Sequence, residues 1–431
     1  MSKEVKDSLV LGFCMFAIFF GAGNLIFPPF LGMMAGTKYP FAIIGFVLTD
    51  AGLSLLGILA CAKSNSSFYE MTARVDKYFT IIAASALVIT IGPLVAIPRT
   101  AATTFEISVL PFIPSANVLI AVILYFAITL LFVLKRSSIV DNIGSKLTPV
   151  LLVVLLILIV KGTLFPVGPI VDTGVKNMFP RAALEGYQTM DAIGSVITTA
   201  IILISARDKG YNSDRDVLRI LIKSGIVCVV SLSIVYGGLT YLGSQMITIL
   251  PADVPKTKIV TEISRRVLGN GGSIALSIIV ALACLTTSIG LTSSAAEFFN
   301  KLTKNRISYN ATAIIIVVIS TFIATMGVDC IVSFAFPILQ ILYPVVMTLI
   351  IIVLLGDFVS DDRATSFTIY LTLIISVMDV LVNSLGFNIG FAKAILKFIP
   401  LVDVGFGWIV PAALALVGSV IYCKKFPRKV A

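Results

Sequence analysis

FAIFFGAGNLIFPPFLGMMAG, residues 16–36, is an apolar span with Gly21-Ala22-Gly23-Asn24 at its middle and Pro28-Pro29 just beyond. A helix crossing lipid must satisfy every backbone N–H and C=O internally, because hydrocarbon offers no partner. Two glycines, an asparagine and two prolines at membrane depth therefore mark a break that lines a cavity rather than one that faces lipid. Backbone groups freed at such a break hold a small solute or an ion.

The rest of the chain fits that setting. Of 431 residues, 58% are hydrophobic and 13% charged, and mean hydropathy is +1.06. Soluble domains carry roughly a quarter charged residues, so the composition describes an all-α polytopic membrane protein. Apolar stretches of about 20 residues read at 8–35, 40–62, 78–109, 115–134, 145–164, 187–206, 218–243, 273–300, 309–327, 331–356, 364–387 and 406–424. These twelve spans place both chain ends on one side of the membrane.

Most of the 32 Lys and Arg residues fall on that side, among them Lys3, Lys6, Arg136, Lys146, Arg207, Lys209, Arg428 and Lys429. Lys256, Lys258, Arg265 and Arg266 lie opposite, in a long loop expected over 244–272. The positive-inside rule then makes both termini cytoplasmic. The net charge of +10 follows from this bias and from anionic lipid headgroups, with no call on nucleic acid. The lysine-bearing lead over 1–7 runs straight into the first span, so no cleavable signal is expected. All six cysteines sit in or at the ends of spans, which argues against a disulfide framework.

Inverted-repeat transporters place a discontinuous helix at the same position in each half. Five spans after the first, the sixth reads GYQTMDAIGSVITTAIILIS from Gly186, with Asp191, Gly194 and Ser195 clustered as the expected break. A charge at the centre of a span costs about 3 kcal/mol, so Asp191 is expected on a polar cavity. The eighth span, ALACLTTSIGLTSSAAEFF from Ala281, carries Thr286, Thr287 and Ser288 in a row. Such hydroxyls, with unwound carbonyls, offer hard oxygen ligands; the alternative is that they bond back to their own helix. That alternative is the expectation for Thr292, Ser293 and Ser294. The pattern implies a five-plus-five inverted repeat with broken helices one and six, plus two C-terminal helices. It divides the chain into 1–165, 166–357 and 358–431.

FFGAGNLIFPPFLG at 19–32 and IGPLVAIPRTAATTFE at 91–106 resemble the branched-chain amino acid:cation symporter family, the carriers of bacterial branched-chain amino acid transport system II. The resemblance implies uptake of leucine, isoleucine and valine at the bacterial cell membrane, driven by sodium or proton. It also implies the fold of amino-acid permeases and neurotransmitter:sodium symporters. Matching GAGN and ACLTTS to that fold's sodium site implies ligation by the carbonyls of Ala17, Phe20 and Ala283 and the hydroxyls of Thr286 and Thr287. The same match gives the substrate carboxylate to the N–H groups of Ala22 and Gly23. Asn24 then caps the half-helix or holds a second ion. No organic cofactor is implied; sodium is the favoured coupling ion.

Asp191 has two open roles, drawing the substrate ammonium or bonding N–H groups freed at the sixth-helix break. Phe20, Ile193 and Gly194 complete the expected substrate pocket. Arg99 is the other costly charge, expected to pair with Asp50, Glu106 or Asp191 and, with Glu106, to close the outer vestibule; a structural ion pair or snorkelling is the alternative. With no histidine in the chain, HExxH zinc sites and Ser-His triads are excluded, and no Walker A pattern occurs. An amino-acid receptor on a transporter fold is the rival of a different class. Proton coupling through Asp191 or Glu297 is the rival within transporters.

Overall fold

The computed structural model describes residues 2–64, 68–135 and 139–426. Arg136, Arg428 and Lys429, used above for orientation, lie outside them, and so does the side chain of Lys146.

The first apolar segment forms two helices, α1 (Lys3–Phe19) and α2 (Ala22–Ala35). Gly36, at φ 53°, ends α2. The chain then returns through α3 (Tyr39–Val47), a wide π-type turn over Leu48–Gly52, and α4 (Leu53–Ser64). A short helix α5 (Phe68–Ala73) precedes α6 (Lys77–Ile89), whose first turn is capped by Asp76 accepting from the N–H groups of Tyr78 and Phe79 at 2.7 and 2.9 Å. A second wide turn, Thr90–Leu94 with Pro93 inside it, leads to α7 (Ala96–Thr104) and a third turn at Phe105–Val109. Then come α8 (Val118–Lys135), α9 (Ile139–Leu164), α10 (Met178–Tyr187), α11 (Asp191–Asp208) and α12 (Asp214–Ser244). The remaining helices are α13 (Lys256–Leu302), α14 (Tyr309–Ala324), α15 (Val328–Leu355), α16 (Asp362–Asp379), α17 (Gly390–Leu396) and α18 (Ile409–Lys425).

Among the described residues, seven helical segments are long and apolar enough to cross a membrane, or eight with α10 and α11 taken as one bent span. One of the seven, 42 residues over Ala22–Lys63, contains the Gly36 break.

Two sequence expectations are corrected here. The segment 256–268 is helical, not loop: Ile259, Val260, Ile263 and Val267 are buried at helical spacing, while Lys258, Arg265 and Arg266 face out. Its charges lower the mean hydropathy without breaking the amphipathic repeat. Gly269, at φ 74°, kinks this piece from the apolar remainder of α13. The sixth apolar segment likewise starts earlier than 187, with α10, because Arg181 and Glu185 interrupt its hydropathy but not its helix.

Buried side chains form two main clusters that share α7 and α13. A buried cluster that includes Ile97, Ala101, Phe126, Ile289, Ala296 and Ile316 is built only from α7, α8, α13 and α14. A larger cluster joins α1 and α2 to α3, α4, α10, α11, α12 and α15. The candidate functional residues lie where the two clusters meet.

Candidate functional site at the meeting of two broken helices

The first break is two residues long. Phe20 and Gly21 are extended, at φ −75° and −119°, and α2 starts at Ala22. Asn24 closes it: its Oδ1 accepts the Gly21 N–H at 3.0 Å, which caps the half-helix. Pro28 and Pro29 lack N–H groups, so the carbonyls of Asn24 and Leu25 lose their helical donors. Freed polar backbone thus collects over one turn on either side of the break.

The second break is not where the sequence placed it. Gly194 and Ser195 lie inside α11, whose first turn closes with the Gly194 N–H donating to the Met190 carbonyl at 2.8 Å. The chain turns over 188–190, where Met190 is left-handed at φ 67°, and α10 and α11 meet at 43°. Asp191 is therefore the first residue of the second half-helix.

The two breaks are tied together through Asn24. Its Nδ2 donates to Asp191 Oδ2 at 2.6 Å and to the Tyr236 hydroxyl oxygen on α12 at 2.5 Å. Asp50, fully buried in the turn after α3, accepts from the Thr189 hydroxyl at 2.6 Å and faces the Asp191 carboxyl. One polar network thus joins both breaks to α12 and to the Leu48–Gly52 turn. The sequence pointed to Asn24 and Asp191 by their type and depth. It named Asp50 only as an Arg99 partner, and it gave no sign of Thr189 or Tyr236, since a tyrosine in an apolar helix reads as core.

Arg99 reaches this network from α7. It is 4% exposed; its Nη1 donates to the Gln188 carbonyl at 2.5 Å, and its Cζ lies 5.6 Å from the centre of the Phe27 ring. It makes no hydrogen-bonded pair with Asp50, Glu106 or Asp191 among the described residues, so that expectation is corrected. Glu106 bonds elsewhere: it accepts from the Thr257 hydroxyl at 2.6 Å and from the Val328 N–H at 2.8 Å. It fastens the end of the third span to the starts of α13 and α15. Lying toward the Lys256 end of α13, it stands apart from Arg99.

Phe20 stacks on Phe16 and Tyr236, at centroid distances of 5.2 and 6.4 Å, and shares a small cavity with Gly21, Ala22, Leu25, Ala283 and Cys284. Gly194 also faces open space, whereas Ile193 is fully buried in the larger core and is a packing residue. Of the expected cation set, Phe20 and Ala283 line this cavity. The Thr286 and Thr287 hydroxyls each lie 3.0 Å from the Ala283 carbonyl oxygen, donating to it. Both are bonds back to their own helix, the alternative left open for these hydroxyls in the sequence. Ala17 sits on α1, which packs mainly on α12 and α11. Thr292, expected to bond back to its own helix, is buried without a partner among the described residues. Glu297 is exposed and paired with Lys301 at 2.6 Å, which removes it as a buried proton carrier.

A larger cavity of about 200 Å³ lies among α5, α6, α11 and α13, lined by apolar side chains including Phe68, Leu87, Ile91, Val196 and Phe298. Two half-helices enclosing a carboxylate, a guanidinium and freed backbone, with an apolar cavity alongside, are the parts of a solute carrier.

The comparisons agree with that geometry. Residues 4–426 match the model of the branched-chain amino acid transport protein family. The branched-chain amino acid permease BraB of Bacillus subtilis is 33% identical, over 97% of this chain and 95% of its own. The chain belongs to the branched-chain amino acid transport protein family. It is a multi-pass membrane transporter, not an enzyme. Among solved structures, the family member shares its fold with Mhp1, a nucleobase-cation-symport-1 family transporter, at a TM-score of 0.62 and 12% identity over 97% of this chain and 93% of that one. It also matches a Na+-coupled sialic acid symporter at 0.58 and 14% identity, over 98% of this chain and 91% of that one. An all-α fold related to those symporters is therefore established.

Proposed function

We propose that the chain imports leucine, isoleucine and valine across the bacterial cell membrane by sodium symport, through alternating access, with both termini cytoplasmic. The observation that carries the reading is the direct bond between the two breaks, Asn24 to Asp191, beside an apolar wall at Phe20. Asp191 draws the substrate ammonium, and the branched side chain lies against Phe20.

Twelve crossings fit the element lengths. The 42-residue segment over Ala22–Lys63 would run about 60 Å at 1.5 Å per residue, twice the hydrocarbon thickness, unless Gly36 divides it. The second buried cluster, built from α7, α8, α13 and α14, fits a frame against which the broken helices rock. Glu106, fastening the end of the third span to the starts of α13 and α15, fits a carrier closed to the outside.

Sodium, completing its site between Phe20 and the Ala283–Thr287 turn, fixes the first break and so raises substrate affinity; the coupling is reciprocal. Thr287→Ala is expected to weaken the sodium dependence of uptake by about 10-fold, the value of one ligating oxygen, with little loss of folded protein. Unchanged sodium dependence in that variant would place the ion elsewhere. Proton coupling is the second reading, favoured by Asp50 and Asp191 facing each other in one network.

Radiolabelled isoleucine uptake into proteoliposomes decides between them. Accumulation under an inward sodium gradient, above that under an equal potassium gradient at fixed pH, is the expected result. Accumulation only under an imposed proton gradient moves the coupling to Asp50 and Asp191. Binding without uptake under either gradient would turn the reading toward a receptor.

A further inference from the structure

Arg99 is a buried charge whose bonding among the described residues is far from complete. Its guanidinium carries five N–H donors, yet among the described residues it makes a single hydrogen bond, to the Gln188 carbonyl, and its buried Nε has no partner. A buried cation left so poorly matched is costly. The fold nonetheless holds it in place from both sides. Gln188 fixes it to the sixth-helix break, and the Phe27 ring faces it across 5.6 Å.

Its other arm reaches the first break. Nη2 stands 2.9 Å from the point where a Cβ on Gly23 would be, so the glycine leaves room for the guanidinium against the backbone. Ala22 and Gly23 are the first two residues of α2. Their N–H groups have no carbonyl one turn earlier to bond, and the half-helix adds its positive end there. A full positive charge, a helix terminus and two unused N–H groups therefore converge on one point between the breaks. A planar guanidinium beside backbone N–H groups matches a carboxylate in shape as well as charge. Asp191, whose charge interacts with that of Arg99, lies across the same junction.

We propose that Arg99 is the receptor for the substrate's α-carboxylate, acting with the N–H groups of Ala22 and Gly23, rather than a gate residue. Arg99 and Asp191 then read the two ends of an amino-acid zwitterion, and apolar acids lacking the ammonium bind through Arg99 alone. This rests on the transport reading above for the identity of the ligand.

The test compares leucine with leucinamide, which keeps the ammonium and side chain but has no carboxylate. Dissociation constants are measured on the purified full-length protein and on Arg99→Gln and Arg99→Lys. Wild type is expected to favour leucine by about 10–100-fold, the range for a charged hydrogen-bond partner. Arg99→Gln brings the ratio close to unity by weakening leucine, and Arg99→Lys restores part of it through charge without the fork. A folded Arg99→Gln that keeps the wild-type ratio overturns the assignment. So does wild-type protein that binds leucinamide as tightly as leucine, a result that requires no variant to fold. Absent leucine uptake by wild type would overturn the transport reading instead, so the two failures are told apart.

Discussion

Asp191→Asn is expected to cut branched-chain amino acid uptake by about 100-fold while leaving the folded protein intact. The substitution keeps shape and one acceptor oxygen, so Asn24 can still donate across the two breaks as it does to Asp191 Oδ2 at 2.6 Å. The new amide also brings donors to a place where Asp50 Oδ2, buried, has no hydrogen-bond partner among the described residues. Both effects preserve the local structure. What disappears is the negative charge. A buried charged group contributes about 1.5–3 kcal/mol per hydrogen bond to a charged partner, and loss of the long-range attraction adds to that in a medium of low dielectric. Uptake rate against isoleucine concentration, together with the melting temperature of purified protein, checks both halves of the expectation. Near-normal uptake would mean that Asp191 only secures the break in the sixth helix and that the ammonium is held elsewhere. Lost uptake with a lowered melting point would point to the same structural role.

Much of this site was legible because lipid makes polar residues conspicuous. GAGN in an apolar span, Asp191 and Arg99 all stand out where each unmet polar group costs several kcal/mol. Their types were readable, but their partners were not. The sequence offered Asp50, Glu106 or Asp191 as partners for Arg99; the structure gives Arg99 the Gln188 carbonyl, while Glu106, in the wide turn at Phe105–Val109, bonds Thr257 and Val328. The sixth break was misplaced by a few residues because Gly194 drew attention, while the residue that actually turns the chain is Met190, a type that carries no left-handed preference. Tyr236 and Thr189 are ordinary residues made functional by neighbours distant in sequence. The fold was easier to read than the site. Span limits follow hydropathy, and at α10 and the start of α13 charge dilutes an amphipathic helix and shifts them.

Gly32→Val and Gly243→Val are each expected to abolish the folded carrier. Helices α2 and α12 touch backbone to backbone: a Cβ on Gly32 would collide with the Thr240 carbonyl, and one on Gly243 with the carbonyl of Pro29. Without a hydrophobic drive between helices in lipid, association depends on such close approach at small residues. Neither obstacle is a side chain that can swing aside, so the helices must separate. Overpacking a tight contact costs about 1–3 kcal/mol when side chains absorb it, and more when backbone must move. Separation would also part Asn24 on α2 from Tyr236 on α12, now 2.5 Å apart, and so open the network that joins the breaks. Gly290→Ala is the matched control, since nothing lies within 4 Å of its Cβ position and the change favours helix. Size-exclusion profiles of the solubilised variants should show loss of the monodisperse peak for both valine variants and none for the control. A Gly32→Val protein that folds and transports like wild type would mean that α2 and α12 do not meet at this face in the membrane, and the position of Asn24 beside Tyr236 would fall with it.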